Sequence, residues 1–235
     1  GSKYLLFGGA DSSQQHFADI HSFDPATRCW EKMITRGCAP SPRSGHSATA
    51  FEDLLIVYGG MNGSENVTFN DIYGLQTDSM EWKRVPCDEA PPRNSHAAVL
   101  YGSTIIIIGG ASPEGHTDDV HTIDLSDMSA LSCRQVTCET AQTGAPHSEA
   151  LQQSPSAREM HSANLVSRGK TKDADPTILV MGGRSAAGVH QDLFALNPAS
   201  WEWRRLKDAP APRCAHIACM IEYEGIMAVF GGWDG

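Results

Sequence analysis

The chain has 235 residues and a formal charge of −10, from 28 acidic and 18 basic residues, and 40% of its residues are hydrophobic. This composition favours a soluble globular protein with one sizeable core or two small domains. No apolar run approaches the roughly 20 residues of a membrane-spanning helix, and the basic residues are scattered instead of forming a stripe that could follow phosphates. The sequence therefore predicts neither membrane insertion nor a nucleic-acid partner.

The seven cysteines form no Cys-x-x-Cys pair and no recurring spacing, which is typical of a protein kept in a reducing compartment. The first residues, 1–9, do not have the pattern of a signal peptide. We therefore expect an intracellular, cytoplasmic protein. Two triplets that begin at Asn62 and Asn66 match the acceptor pattern for N-glycosylation, but the cysteine pattern argues against their use.

The first predicted strand, residues 4–7, is a short apolar run that ends at a glycine pair, and the same pattern recurs four times. The intervals between successive pairs are 51, 50, 73 and 49 residues. Short apolar runs that glycine stops predict buried strands. We interpret the glycines as structural, because they allow positive φ and close backbone approach. They are Gly8, Gly9, Gly59, Gly60, Gly109, Gly110, Gly182, Gly183, Gly231 and Gly232.

A second strand, with alternating apolar residues, is predicted after an aspartate in each of the first four units. These aspartates are Asp19, Asp71, Asp119 and Asp192. A tryptophan follows three of them eleven residues later, at Trp30, Trp82 and Trp203, whereas the best match in the third unit is Cys133. We interpret the tryptophans as structural wedges, buried between neighbouring repeats.

Each unit then reaches an Arg-x-x-His pattern that leads into a strand of small residues. The pattern occurs at Arg43/His46, Arg93/His96, Arg158/His161 and Arg213/His216. We expect the histidines to be hydrogen-bonding struts. One period thus holds four strands and no helix signal. A four-stranded unit repeated about every 50 residues predicts a propeller blade, because a single sheet buries its faces only when neighbours stack on it.

On these landmarks, the whole chain resembles the kelch repeat. The linker at residues 37–46 is similar to the proline-rich type of Rab9-effector-like, host-cell-factor-like and plant nitrile-specifier-like members. The resemblance implies an all-β propeller of four-stranded antiparallel blades over residues 1–235, with units near 1–42, 43–92, 93–157 and 158–212 and a partial unit at 213–235. Seventeen strands are predicted, one more than four blades need, so we expect an incomplete segment of a six- or seven-bladed ring.

The resemblance also implies a binding face. In kelch blades the Arg-x-x-His strand is innermost, so the loops before it and the loops after each glycine pair open on one face, where kelch proteins commonly bind partners. We therefore expect a protein-interaction scaffold that binds a protein or peptide, without a cofactor or an enzymatic activity. The candidate contacts are Arg43, Arg93, Arg158 and Arg213, as forks for a carboxylate-bearing partner, with Asn62, Ser64, Glu114, Arg184 and Trp233 around them.

Two alternatives stay open at this point. The arginines would equally well pair with the repeated aspartates inside or between blades. Alternatively, the chain would bind a non-protein ligand, or it would be a metal-dependent lyase or oxidase module of the nitrile-specifier or galactose-oxidase type. Glu114, Asp118 and His121 approach the iron-binding spacing of nitrile-specifier-like proteins, but the last interval is one residue short. No P-loop, Gly-x-Ser-x-Gly or His-Glu-x-x-His motif supports an enzyme.

The third unit carries 23 surplus residues. Most of the excess falls in Glu139 to Ser156, a segment of small and polar residues that predicts an exposed loop on the binding face, either functional or disordered. A second excess at residues 167–176 predicts a hairpin tip on the opposite face.

Overall fold

The computed structural model describes residues 3–87, 89–140, 152–166, 175–221 and 224–235. These residues form β-strands, turns and loops, and no helix occurs among them. Accordingly, the described part of the chain offers no helix of the length and apolarity that crossing a membrane would take.

Three four-stranded antiparallel sheets form the centre of the molecule, each with its strands in chain order from the inside outwards. The second sheet consists of Ser47–Phe51, Leu54–Tyr58, Ile72–Gln76 and Glu81–Val85. The third consists of Ala97–Tyr101, Thr104–Ser112, Gly115–Asp124 and Ser132–Val136. The fourth consists of Ser162–Val166, Thr177–Met181, Leu193–Asn197 and Glu202–Arg205. These are propeller blades, as the repeat predicts.

The sheets at the two ends of the chain have fewer strands. The first holds Tyr4–Phe7, Ile20–Asp24 and Cys29–Lys32, and the fifth holds Ile217–Ile221 and Ile226–Phe230. Among the described residues, the five sheets hold the three, twelve and two antiparallel strands that the repeat predicts, besides shorter strands that it does not. No strand pairing joins the first sheet to the fifth within the described residues. The total number of blades stays a prediction.

The core lies between successive sheets. Trp82, 1% exposed, packs with Leu75 of its own sheet and against Phe7 and Ile20 of the first sheet. Trp203 is buried in the same way, in the cluster of side chains that includes Ile106 of the third sheet. Burying aromatic and β-branched side chains between two sheets removes both from water, which is the main stabilisation available to stacked blades.

Trp30 departs from this arrangement. It was expected to be a buried wedge like Trp82, but 59% of it is exposed, and its ring packs against Phe23 of its own sheet, with centroids 5.0 Å apart. The reason is that each tryptophan packs on the preceding sheet, and among the described residues no sheet precedes the first. The prediction for Trp30 is therefore wrong in this structure.

A chain of backbone hydrogen bonds links the sheets at their inner edge. The N–H of Ser95 donates to the carbonyl oxygen of Gly45 at 2.7 Å, that of Met160 to Ser95 at 2.9 Å, and that of Ala215 to Met160 at 2.9 Å. All four residues stand two positions after the arginine of the Arg-x-x-His pattern and have positive φ, from 52° to 65°. Three of them carry a side chain, so the inner rim holds a conformation that such residues rarely adopt.

Two sheets carry a fifth, parallel strand that the repeat did not predict. Arg36–Gly37 pairs with the outer strand of the second sheet, and Glu139–Thr140 pairs with the outer strand of the fourth. The prediction of an exposed loop from Glu139 onwards is thus wrong at its start. Further along, Pro155 is buried and Arg205 N–H donates to Gln153 Oε1 at 3.4 Å. The rest of that loop, 141–151, and most of the predicted hairpin tip, 167–174, lie outside the described residues.

Candidate functional site

The glycine pairs lie where one unit contacts the next. Gly60 has φ +95°, and a Cβ at this position would stand 2.9 Å from both His46 Cβ and Ser44 O. Its neighbour Gly59 has φ +66°, and a Cβ there would collide with Arg93 O. The Gly60 N–H donates to that same Arg93 oxygen at 2.8 Å. Both positions therefore require glycine for two reasons: the backbone has a positive φ, and there is no space for a Cβ atom.

Three of the four arginines of the Arg-x-x-His pattern are buried beside the repeat aspartate of the same sheet. Arg43 is 0% exposed, and its NH1 and NH2 atoms donate to Asp71 Oδ1 and Oδ2 at 2.6 and 3.2 Å. NH1 also donates to Gly59 O at 2.9 Å, and the guanidinium lies 3.9 Å from the ring centroid of Phe69. Arg93 binds Asp119 in the same bidentate way, and Arg158 binds Asp192.

These contacts correct the expectation that the arginines present forks to a partner. Arg43, Arg93 and Arg158 are at most 2% exposed, and each guanidinium is paired with an aspartate inside the blade. The alternative pairing with the repeated aspartates is the one the structure has. Arg213 differs because the fifth sheet has no aspartate strand among the described residues; its NH1 donates to Gly231 O at 2.9 Å, and it is half-buried.

The four repeat histidines lie at the junctions between sheets. The Nε2 atom of His161 is 3.0 Å from Ile108 O of the preceding sheet, and that of His216 is 2.8 Å from Ser162 Oγ. Burial, together with the positive charge of the neighbouring arginine, lowers the pKa of His46 to about 4 and that of His161 to about 3. His46 and His161 are therefore neutral at pH 7. The expectation of a hydrogen-bonding strut holds for His161 and His216 but not for His96, whose two ring nitrogens are buried without a hydrogen-bond partner.

The loops before the Arg-x-x-His strand and after the glycine pair meet on one face, which we call the upper face. One antiparallel bridge joins the two loops of each unit: Ser44 with Met61, Asn94 with Ala111, Glu159 with Arg184, and Cys214 with Trp233. The loops after the pairs then form short hairpins, such as Met61–Asn62 with Val67–Thr68 and Arg184–Ser185 with Gly188–Val189.

The remaining candidate residues lie on these loops with different exposures. Ser64 and Glu114 are exposed, and Glu114 Oε2 accepts a hydrogen bond from Ser112 Oγ at 2.8 Å. Trp233 is 55% exposed. Asn62 is only 5% exposed, because its side-chain oxygen accepts the Ser64 N–H at 3.2 Å inside the turn. The prediction that Asn62 contacts a partner is therefore wrong.

The upper face also holds a polar cluster that was not predicted from the sequence. Glu159 is buried, and its Oε1 atom accepts a hydrogen bond from Nε of Arg184 at 2.8 Å and lies 2.7 Å from NH2 of the same guanidinium. His116 Nε2 lies 3.5 Å from the same oxygen. The bridge between the loops joins Glu159 and Arg184 of one unit, and His116 comes from the preceding unit. The signal in the sequence was a glutamate directly after the repeat arginine, where the other units have serine, asparagine and cysteine.

The residues that approach an iron-binding spacing do not converge. His121 Nε2 is 3.0 Å from Asp119 Oδ2, the carboxylate that also binds Arg93, while Glu114 stands at a hairpin tip and bonds Ser112. In the described part of the chain, no group of three or more histidine, cysteine, aspartate or glutamate side chains is placed to hold a metal ion.

The architecture and the repeated Arg–Asp and Gly–Gly contacts are those of a kelch propeller, and comparison with known families agrees. The family model described as the KLHDC2/KLHL20/DRC7 Kelch-repeats domain matches residues 1–151, more than half of the chain. The chain belongs to the kelch-repeat family.

Similar proteins with this repeat include the Kelch domain-containing protein 3 of Rattus norvegicus, which is 25% identical over 97% of this chain and 57% of its own length. The Host cell factor of Drosophila melanogaster is 27% identical over 97% of this chain and 15% of its own length. The chain thus spans between about one seventh and three fifths of these two relatives. The solved structure of YjhT is similar with a TM-score of 0.72, over 98% of this chain and 74% of that one. At 16% identity, this likeness shows the fold alone.

Proposed function

We propose that this chain is a protein-interaction module that binds its partner on the upper face. The supporting observation is the contrast between two layers of the same face. The buried layer repeats from unit to unit, with an arginine, an aspartate, a histidine and a glycine pair in equivalent contacts. The loops above it differ in every unit, and they carry Ser64, Glu114, Arg184 and Trp233 at their surface. Variable loops on a rigid scaffold are a common way of building a binding surface.

The charges on these loops indicate the kind of partner. The loops after the first four glycine pairs, residues 10–18, 61–70, 111–118 and 184–191, contain one basic side chain other than histidine, Arg184, which is already paired with Glu159. Their exposed charged groups are the carboxylates of Asp11, Glu65, Glu114 and Asp118. Because the repeat arginines are buried, the face suits a segment rich in lysine or arginine rather than an acidic one.

Affinity capture with the chain as bait, quantified by mass spectrometry, tests this proposal. The variant Glu65→Arg/Asp118→Arg changes two exposed side chains of the upper face that make no side-chain hydrogen bond or ion pair among the described contacts. Loss of about 1.4 kcal/mol of interaction lowers recovery of a specific partner about tenfold. Glu52→Arg/Asp78→Arg is the matched control, since it makes the same charge change in exposed turns at the other end of the strands. Equal recovery by the two variants would place the partner on another surface.

A further inference from the structure

The third sheet has a cysteine where two other sheets have a buried tryptophan. Cys133 lies on the outer strand Ser132–Val136, opposite Ile123 of the adjacent strand, and is 3% exposed. Trp82 holds the equivalent register position in the second sheet, opposite Leu75, and Trp203 in the fourth, opposite Leu196. A thiol is much smaller than an indole, so the third sheet has room beside this position for a side chain from the linker that enters it.

Cys87 is that side chain. It follows Val85 and Pro86 at the end of the second sheet and packs against the cluster of buried residues that contains Cys133. The Leu131 N–H donates to Pro86 O at 3.2 Å, which fixes the linker against the start of the third sheet's outer strand. The two thiols share a hydrogen bond. Two cysteines that are 46 positions apart in the chain thus meet side by side.

We propose that Cys87 and Cys133 are a site of reversible oxidation, at which a disulfide bond joins the linker of the second sheet to the outer strand of the third. All seven cysteines lie in the described residues and are not joined by disulfides. The pair meets one requirement for a disulfide, which is that the two thiols lie next to each other in the folded protein. The partial exposure of Cys87 gives a small oxidant access to one of them.

The reaction needs a peroxide as the oxidant. The Cys87 thiol loses its proton, and the thiolate attacks one peroxide oxygen. The O–O bond breaks, and the hydroxide that leaves takes up that proton, so the products are a Cys87 sulfenic acid and water. The Cys133 sulfur, having lost its proton, then attacks the Cys87 sulfur and displaces hydroxide, which takes up that proton to give a second water. Two thiols and one hydrogen peroxide thus give one disulfide and two waters. A dithiol reductant reverses the change.

The burial of Cys133 assigns the order of these steps. Burial, together with the nearby Cys87 and Glu89 side chains, raises the pKa of the Cys133 thiol to about 12, although Arg93 opposes them. A thiol that holds its proton this firmly is not the first to react with peroxide. Cys133 is therefore the resolving residue. The disulfide restrains the linker that leads to Arg93 and hence the junction between the second and third sheets.

Peptide mapping of the full chain tests the proposal. The reduced protein is treated with hydrogen peroxide, remaining thiols are blocked with N-ethylmaleimide, and the digest is analysed without reductant. We expect a cross-linked peptide pair that contains Cys87 and Cys133, a mass lower by two hydrogen atoms, return to the dithiol with dithiothreitol, and a higher thermal midpoint for the oxidised form.

Three variants make the outcome decisive. Cys87→Ser removes a partly exposed thiol and is expected to abolish the cross-link while Cys133 stays reduced. Cys138→Ser is the matched control, because Cys138 is also partly buried but its side chain contacts Trp203, and it should leave the cross-link intact. Cys133→Ser, if folded, should trap Cys87 as the sulfenic acid. Oxidation that leaves both Cys87 and Cys133 open to N-ethylmaleimide, or that links either to other cysteines equally, overturns the proposal.

Discussion

Arg93 and Asp119 are joined by two parallel hydrogen bonds of 2.7 and 2.8 Å inside the third sheet, where Arg93 is only 2% exposed. Burial alone would raise the pKa of Asp119, but hydrogen bonds from His121 and Arg93 outweigh it and hold this pKa well below its usual range. The carboxylate is therefore charged under all ordinary conditions. The pair fixes the aspartate strand to the segment that enters the inner strand of the same sheet.

Replacing Asp119 by asparagine should destabilise the protein by about 3 kcal/mol, because the buried Arg93 then keeps its charge without a counter-charge. Asp118→Asn is the control, since its exposed side chain is the chain neighbour of Asp119 and should change the free energy of unfolding by less than about 0.5 kcal/mol. Urea unfolding followed by tryptophan fluorescence measures both. Similar losses for the two variants would show that the ion pair contributes little.

Gly60→Ala should cost about 3 kcal/mol, from the strained φ of +95° together with the collision of the new methyl group with His46 and Ser44 O. Gly102→Ala separates these two causes. Gly102 also has positive φ, +61°, but a Cβ there meets nothing within 4 Å. We expect it to cost about 1 kcal/mol. Equal costs in denaturant unfolding would mean that space at the glycine pair is not limiting.

The strands of the blades were predictable because their signal is local. Each apolar run, such as residues 105–108, is buried by its own sheet and its immediate neighbours, so a few adjacent residues specify it. The partners of the repeat arginines could not be predicted from adjacent residues in this way. Arg43 and Asp71 are 28 positions apart, and only the register of the sheet decides that they pair and do not point into the opening.

Two other differences between sequence and structure have the same origin. Arg36–Gly37 forms a parallel strand although it shows no alternating pattern, because its partner belongs to the next sheet. The three tryptophans look alike in the sequence, yet their burial depends on whether a sheet precedes them. The surface of the upper face was the least predictable part, since exposed loop residues are under no packing constraint that leaves a pattern.

Trp82→Ala should lower the free energy of unfolding by about 3 to 5 kcal/mol, since it empties a site between the first and second sheets. Trp30→Ala should lower it by less than about 1 kcal/mol, because 59% of that side chain is already in water. The two substitutions remove the same atoms from equivalent positions of the repeat. A loss for Trp30 as large as that for Trp82 would show that Trp30 is covered in solution.

Stability should fall as the pH drops from about 6.5 towards 4. Burial lowers the pKa of His46 to about 4 and of His96 and His161 to about 3 in the folded protein, with nearby arginines adding to the effect, while the unfolded chain has ordinary histidine pKa values near 6.5. Below pH 6.5 the unfolded state therefore binds protons that the folded state does not. Each such histidine lowers the free energy of unfolding by at most about 1.4 kcal/mol per pH unit, and this loss continues until the pH reaches its folded pKa.

His96 offers the sharpest test of this pH dependence, because both of its ring nitrogens are buried without a hydrogen-bond partner. His96→Leu removes a titrating group and leaves no bonded atom unpaired, so it should cost little at pH 7.5. Between pH 7.5 and pH 5, the stability of the variant relative to wild type should rise by about 2 kcal/mol. This figure corresponds to one proton over the 1.5 pH units from 6.5 down to 5, at about 1.4 kcal/mol per pH unit. Urea unfolding at both pH values measures this difference. At pH 5 and above, aspartates such as Asp119 keep their charge in the unfolded chain as well as in the folded protein, so they do not contribute to this difference. If the free energies of unfolding of variant and wild type differ by the same amount at both pH values, His96 does not take up a proton on unfolding.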